Sequence, residues 1–269
     1  MGTLVCFHAH PDDEAISTGG SLARAAAEGH RVVLVVATGG EWGERPDDLG
    51  DESLTDRRRS EVMASAEALG VHRVAWLGYE DSGMTGWEQN SNPNSFVQAP
   101  LDEAAERLAT ILREESCDVL TAYDWHGNYG HPDHIQVHRV GHRAAELAGT
   151  RKVFEATMNR DSIRRLVTMA REMGAPMGDG DDDFDVDGPA DDGNPMGMLE
   201  HEITLAVDVA PYVMLKRESM RAHASQITDT SFFLQMPDEI FAASFGTEWF
   251  IEKGTEPGSG PRTGWLFDE

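Results

Sequence analysis

Seven consecutive residues, His8-Ala9-His10-Pro11-Asp12-Asp13-Glu14, hold two imidazoles and three carboxylates, and they follow directly on the apolar run Leu4-Val5-Cys6-Phe7. Unpaired charges are costly to desolvate, so packing alone does not ask for such a cluster at the end of a strand. A second cluster, His131-Pro132-Asp133-His134, repeats the theme. A catalytic zinc site takes three protein ligands from His and carboxylate donors and leaves one position open. His10, Asp13 and His134 supply that set. Two His and one carboxylate also describe the facial triad of non-heme iron, so the residues alone do not separate Zn2+ from Fe2+. The surplus groups favour hydrolysis. Asp12, beside Asp13, is suited to accept a proton from water whose pKa a metal ion lowers to near 7. His131 is suited to stabilise an oxyanion or protonate a leaving group, with Asp133 as an outer, orienting carboxylate.

The elements that must position these groups read as an alternation. Strand-like runs at 3–7, 32–37, 73–77, 119–122 and 153–156 alternate with helical patterns at 15–28, 55–69, 101–115 and 134–148. The series predicts an α/β fold, a Rossmann-like, doubly wound and mostly parallel sheet with helices on both faces. Residues 1–157 form the core that carries the metal site, and 158–269 form a smaller C-terminal extension within a single domain spanning 1–269. In such sheets ligands bind beyond the carboxyl ends of the strands, where the strand order reverses. With the order 3-2-1-4-5 that point lies between the first and fourth strands, the two strands that precede the two His/Asp clusters. Loops 38–54 and 78–100 are too long for simple connectors and are expected to serve the site. Further on, 159–173 and 213–225 look helical and 203–209 strand-like. Residues 176–195 form an acidic Gly/Pro-rich stretch expected to be a solvated loop, and the last forty residues read as irregular.

Composition narrows the class. The chain has 269 residues and a formal net charge of −26, and it shows no basic face for a nucleic-acid backbone. No apolar run approaches the roughly 18–20 residues of a membrane span, and no secretory leader is legible at the start, so the expectation is a cytoplasmic protein without nucleic-acid or membrane partners. Its two cysteines, Cys6 and Cys117, read as buried free thiols. A homo-oligomer is compatible with the sequence.

The motifs taken together resemble a family. HAHPDDE after the first strand, TGGEWGE after the second, RRRSE in the next helix, GYEDSGM after the third strand and YGHPDH after the fourth are similar to the PIG-L/LmbE-like zinc-dependent N-deacetylases. The resemblance is dense over 1–150 and continues through the AHASQI segment and residues 241–251. It implies His10, Asp13 and His134 as zinc ligands, Asp12 as general base and His131 in the oxyanion or acid role. It further implies Tyr129 as a group that polarises the scissile carbonyl, and Arg58, Glu41 and Asp81 as lining the substrate site. The implied partner is a small-molecule amino-sugar conjugate that loses an acetyl group. Amidases of sugar-thiol S-conjugates in the same family are an alternative, and a non-catalytic sugar-conjugate binder is another, against which the presence of Asp12 argues.

Lesser features have plainer readings. His8 shares a strand face with His10, but the ligand set is complete without it, and a structural role is expected. His134, His138 and His142 stack along one helix face, which hints at a second metal, although packing accounts for the latter two. Residues 183–194 match a calcium loop at its first, third, fifth, sixth and ninth positions, but Asn194 stands where the bidentate Glu belongs, so Ca2+ is not expected. Gly19-Gly20 and Gly39-Gly40 fit no dinucleotide or phosphate loop. His223 and the three arginines at 57–59 are read as either structural or substrate-adjacent.

Overall fold

The computed structural model describes residues 1–172, 185–258 and 260–268. In chain order the elements are β1 (Thr3–His8), α1 (Asp13–Ser17), α2 (Gly19–Ala27), β2 (Arg31–Thr38), α3 (Leu54–Leu69), β3 (Arg73–Tyr79), α4 (Leu101–Glu114), β4 (Val119–Tyr123) and α5 (Gly127–Gly130). There follow α6 (Pro132–Ala148), β5 (Lys152–Thr157), α7 (Arg160–Glu172), β6 (Leu205–Asp208), α8 (Val213–Ala222), α9 (Phe232–Gln235), α10 (Asp238–Phe245), β7 (Thr247–Glu252) and β8 (Arg262–Gly264). The sheet order is β3-β2-β1-β4-β5-β7-β6-β8. Its first five strands are parallel, as the alternating pattern predicts, and the reversal point lies between β1 and β4.

Strand composition reflects burial on both faces. Every residue of β1 and β4 is buried, and in β2 only the leading Arg31 is exposed, which is why these strands read as continuous apolar runs rather than alternations. The helices close by local rules. Ser53 caps α3, its Oγ accepting the Asp56 N–H at 3.0 Å, and α6 begins with Pro132 at its first position and His131 as its cap.

Two expectations are corrected. The helix expected over 15–28 breaks at Thr18 into α1 and α2, because Glu248 caps the second piece: its Oε1 and Oε2 accept the Gly20 and Ser21 N–H groups at 2.8 Å each. The last forty residues are not irregular but hold α9, α10, β7 and β8. Strand β7 runs antiparallel between β5 and β6. Its inward positions are Glu248 and Phe250, so a charge interrupts the apolar alternation that marks a strand. That charge is tolerable inside because Lys216 Nζ on α8 donates to Glu248 Oε1 at 2.6 Å, with both side chains buried. Strands β6, β7 and β8 thus continue the sheet of the N-terminal part, and α8 packs against α2 and α3.

Candidate metal centre

The loop after β1 enters α1 through Asp12, whose φ of 99° lies in the left-handed region that non-glycine residues rarely adopt. Several contacts hold it there. The Asp12 N–H donates to Glu14 Oε2 at 3.1 Å, its carbonyl accepts Ala15 N–H at 3.0 Å, and Arg58 Nη2 reaches its Oδ2 at 3.2 Å. Glu14 is itself pinned by Ser65 Oγ and by His223 Nε2, the latter at 2.6 Å. His223 is therefore a buried prop of the Asp12 turn, reached from the far end of the chain.

Across the reversal point, the start of α6 brings His134 to His10 and Asp13. The three donor atoms form a nearly equilateral triangle: His10 Nδ1 to Asp13 Oδ2 is 3.4 Å, His134 Nε2 to Asp13 Oδ2 is 3.4 Å, and His134 Nε2 to His10 Nδ1 is 3.3 Å. Bonds of about 2.0–2.1 Å in a tetrahedral site give ligand-to-ligand edges of about 3.3–3.4 Å. A small divalent cation therefore fits these residues. The outer contacts agree with that reading. His10 Nε2 lies 3.2 Å from Asp133 Oδ2 and 3.5 Å from Asp81 Oδ1, an arrangement that places the proton on Nε2 and leaves the Nδ1 lone pair facing the triangle. His134 is oriented by its ring, which stacks on Tyr123 at 4.5 Å between centroids.

Asp133 departs from the expected arrangement. Its carboxylate orients His10, not His131, and is held by Ser82, whose N–H donates to Oδ2 at 2.9 Å and whose Oγ donates to Oδ1. His131 is oriented instead by the Asp133 backbone: the N–H of Asp133 donates to His131 Nδ1 at 3.1 Å. An accepting Nδ1 leaves the proton of neutral imidazole on Nε2. Burial, reinforced by His10 and His134, pushes the His131 pKa down to about 2, so the ring is a neutral N–H donor. Tyr129 Oη stands 3.4 Å from His134 Nε2, and burial, with Asp13 nearby, raises its pKa so that it stays protonated. Burial likewise pushes Asp12 up to about 6, with the Arg58 charge opposing and Asp13 adding to the rise.

The residues expected at the substrate are close by. Asp81 Oδ1 accepts Gly83 N–H at 2.8 Å, and Glu41 Oε2 accepts Asp81 N–H at 2.9 Å, so the loops after β2 and β3 are tied together beside His10. Arg58 alone of the three arginines turns inward, donating to the carbonyls of Gly40 and Pro11 at 2.7 and 2.5 Å as well as to Asp12. Arg57 pairs with Glu52, and Arg59 lies over the Trp76 ring. His8 has both nitrogens occupied, by Tyr123 Oη at 2.7 Å and Thr18 Oγ1 at 2.8 Å. His138 and His142 face the Tyr123 carbonyl and Glu155, away from the triangle. Asp183 and Phe184, which open the calcium-like stretch, lie outside the described residues; of the rest, Asp187 pairs with Arg164 and Asn194 with Asp192. The described part of the acidic loop borders the site, Asp191 donating its N–H to the Tyr129 carbonyl at 2.9 Å and accepting Thr85 N–H at 3.0 Å. Ser82, Tyr123 and Glu14 are supports that sequence reasoning assigned no role. Ser82 and Glu14 stand inside recognised motifs, whereas Tyr123 looks like any strand residue.

The named relatives of this α/β chain are deacetylases, which gives its class as a hydrolytic enzyme. The profile of the PIG-L family, described as GlcNAc-PI de-N-acetylase, matches residues 5–145, and the chain belongs to that family. It is 39% identical over 264 residues to a 1D-myo-inositol 2-acetamido-2-deoxy-alpha-D-glucopyranoside deacetylase of Acidothermus cellulolyticus, covering 93% of this chain and 88% of that one. The protein of the same description from Thermobispora bispora is 37% identical, covering 95% and 89%. Among solved structures, N,N'-diacetylchitobiose deacetylase from Pyrococcus horikoshii superposes with a TM-score of 0.53 at 24% identity, covering 89% of this chain and 73% of that one. A deacetylase in complex with teicoplanin superposes with a TM-score of 0.57 at 17% identity, covering 94% and 100%. These two likenesses concern the fold. Among the described residues no helix is long and apolar enough to cross a membrane.

Proposed function

We propose that the chain is a zinc-dependent deacetylase of an N-acetylglucosamine-type conjugate, with His10, Asp13 and His134 as the metal ligands. The observation that carries the ligand set is the triangle of donors with edges of 3.3–3.4 Å. Zn2+ held there supplies a Lewis acid for the acetamide carbonyl and lowers the pKa of water to near 7. Asp12 takes the proton of the attacking water as the new C–O bond forms. Neutral His131 Nε2–H and the Tyr129 hydroxyl donate to the carbonyl oxygen as negative charge develops on it. Asp12 then returns its proton to the nitrogen as the C–N bond breaks, releasing acetate and the free amine. Asp133 and Asp81 keep His10 in the tautomer this scheme needs, and Arg58 holds Asp12 in its strained turn while keeping it ionised. Glu41 and Asp81, joined by a hydrogen bond, are placed to accept sugar hydroxyls.

The test is a panel of N-acetylhexosamine conjugates, including the inositol glycoside that the relatives' descriptions name, with acetate and amine both measured on protein of known metal content. Acetate and amine in equal amounts support the reading, whereas amine with a larger acid in place of acetate shows a conjugate amidase. Asp12→Asn is expected to keep stoichiometric zinc and to lose about 10²–10⁴-fold in kcat. Asp13→Ala is expected to lose the metal, and stoichiometric zinc in that variant would refute the ligand set.

A further inference from the structure

His134, His138 and His142 recur every four residues along α6, which sets them a turn apart on one helix face. His134 turns to His10 and Asp13, whereas the other two meet a carboxylate from a different element. Glu155 on β5 has its Oε1 2.7 Å from His142 Nε2 and 3.7 Å from His138 Nδ1. The His138 and His142 rings stand 4.5 Å apart between centroids, and one donor atom from each of the three residues lies within 4.8 Å of the others. All three side chains are partly buried, so packing holds them while water still reaches them. The tautomer of His138 is fixed: its Nδ1–H donates to the Tyr123 carbonyl at 3.0 Å, which leaves the lone pair of the neutral ring on Nε2. Burial lowers the His138 pKa against the pull of Glu155, so the ring is neutral at pH 7. One nitrogen donating to a backbone carbonyl while the other stays basic is the arrangement that orients a metal-bound histidine. The ionic contacts of Glu155 among the described residues are these two histidines, with no arginine or lysine against its charge.

We propose that His138, His142 and Glu155 form a second site for a divalent transition-metal ion, which clips α6 to β5. Two imidazoles and one carboxylate suit Zn2+, Ni2+ or Cu2+, whereas Ca2+ and Mg2+ ask for oxygen donors. Two histidines one helical turn apart present their rings on one face to a single ion. The ion takes the place of the proton between His142 and Glu155 and offsets the carboxylate charge. Giving up that hydrogen bond makes this site weaker than the triangle, so dialysis empties it and spares the ion held by His10, Asp13 and His134. The two sites share supports. His134 lies in the first turn of the helix that carries His138 and His142, and Tyr123, whose carbonyl takes the His138 N–H, stacks its ring on His134. An ion in the second site therefore steadies the element that carries a ligand of the first. Coordination there needs neither substrate nor turnover, so the proposal stands apart from the deacetylase reading.

The experiment titrates dialysed protein with Zn2+, and separately with Ni2+, by isothermal calorimetry, with thermal unfolding followed at each addition. The parent should take up one further equivalent with a micromolar Kd, and its Tm should rise as that equivalent is added. His142→Ala and Glu155→Gln remove a ligand from different elements, and each should raise the Kd of that equivalent on the order of 100-fold or more, since loss of an outer contact alone costs about 10–100-fold. Both variants should keep the ion that survives dialysis and lose the metal-dependent rise in Tm. Glu155→Gln preserves the size of the side chain and its bond to His142, so unfolding in the absence of added metal close to that of the parent separates lost coordination from a lost fold. No further equivalent in the parent, or a further equivalent that either variant binds with parental affinity, overturns the proposal. Should dialysed parent hold no ion, the triangle fails on its own terms, and the second site is read as the equivalent that His142→Ala removes.

Discussion

Gly127→Ala tests whether the geometry of the metal triangle depends on the turn before α6. Gly127 has φ +67°, and a Cβ built there would lie 2.3 Å from the Cβ of His134 and 2.8 Å from the Ile135 nitrogen. Carbon atoms in contact sit about 3.5–4.0 Å apart, so the first turn of α6 must retreat by roughly 1 Å or more. Metal–ligand distances tolerate only about 0.2 Å. Since weakening an outer contact alone typically costs about 10–100-fold in affinity, displacing the ligand His134 should cost on the order of 100-fold or more. Gly149→Ala separates this effect from backbone strain, because Gly149 ends the same helix at φ +77° and a Cβ added there would meet nothing within 4 Å. That variant should lose about 1–2 kcal/mol to the left-handed conformation, a drop of a few degrees in Tm, and keep its metal. The assay is zinc titration against a competing chromophoric chelator, with thermal unfolding of both variants alongside. Parental zinc affinity within threefold in folded Gly127→Ala protein would refute the reasoning, as would equal loss of zinc in Gly149→Ala.

Further outcomes follow from the same contacts. Glu248→Ala leaves Lys216 buried without its partner and uncaps α2, so unfolding free energy should fall by about 3–5 kcal/mol; Lys216→Met combined with Glu248→Leu should recover much of that in denaturant titrations. Asp133→Asn weakens the hold on His10 Nε2 and should raise the zinc Kd about 10–100-fold while the protein stays folded, as read by metal content after dialysis. The proposed base works ionised, and burial raises Asp12 to about 6. A bound cation pulls that value down. The acid limb of kcat/KM should therefore lie at or below about pH 6, with activity lost as pH falls through it. Arg58→Gln should move that limb to higher pH, and a limb that stays in place would count against Asp12 as the titrating group.

Local sequence determined the five parallel strands, the helices α3, α4 and α6 between them, and the reacting groups. The strands around the site are buried on both faces and so appear as unbroken apolar runs, and the helices around them carry their own start and stop signals. His10 and Asp13 are three residues apart across one turn, so their partnership is local. The strand order that such alternation favours was enough to foresee that His134 would meet them. What only the tertiary structure decided are choices of partner. Asp133 serves His10 rather than its neighbour His131, Arg58 rather than Arg57 or Arg59 turns inward, and His8 is occupied by Tyr123 and Thr18. Strand β7 escaped notice because its buried Glu248 breaks the apolar alternation, and only Lys216, 32 residues away in sequence, makes that charge tolerable. The physical reason is common to all of these. Periodicity records which face of an element is buried, whereas the group that compensates a buried charge, or orients a ligand, arrives from another element and leaves no mark on the local pattern.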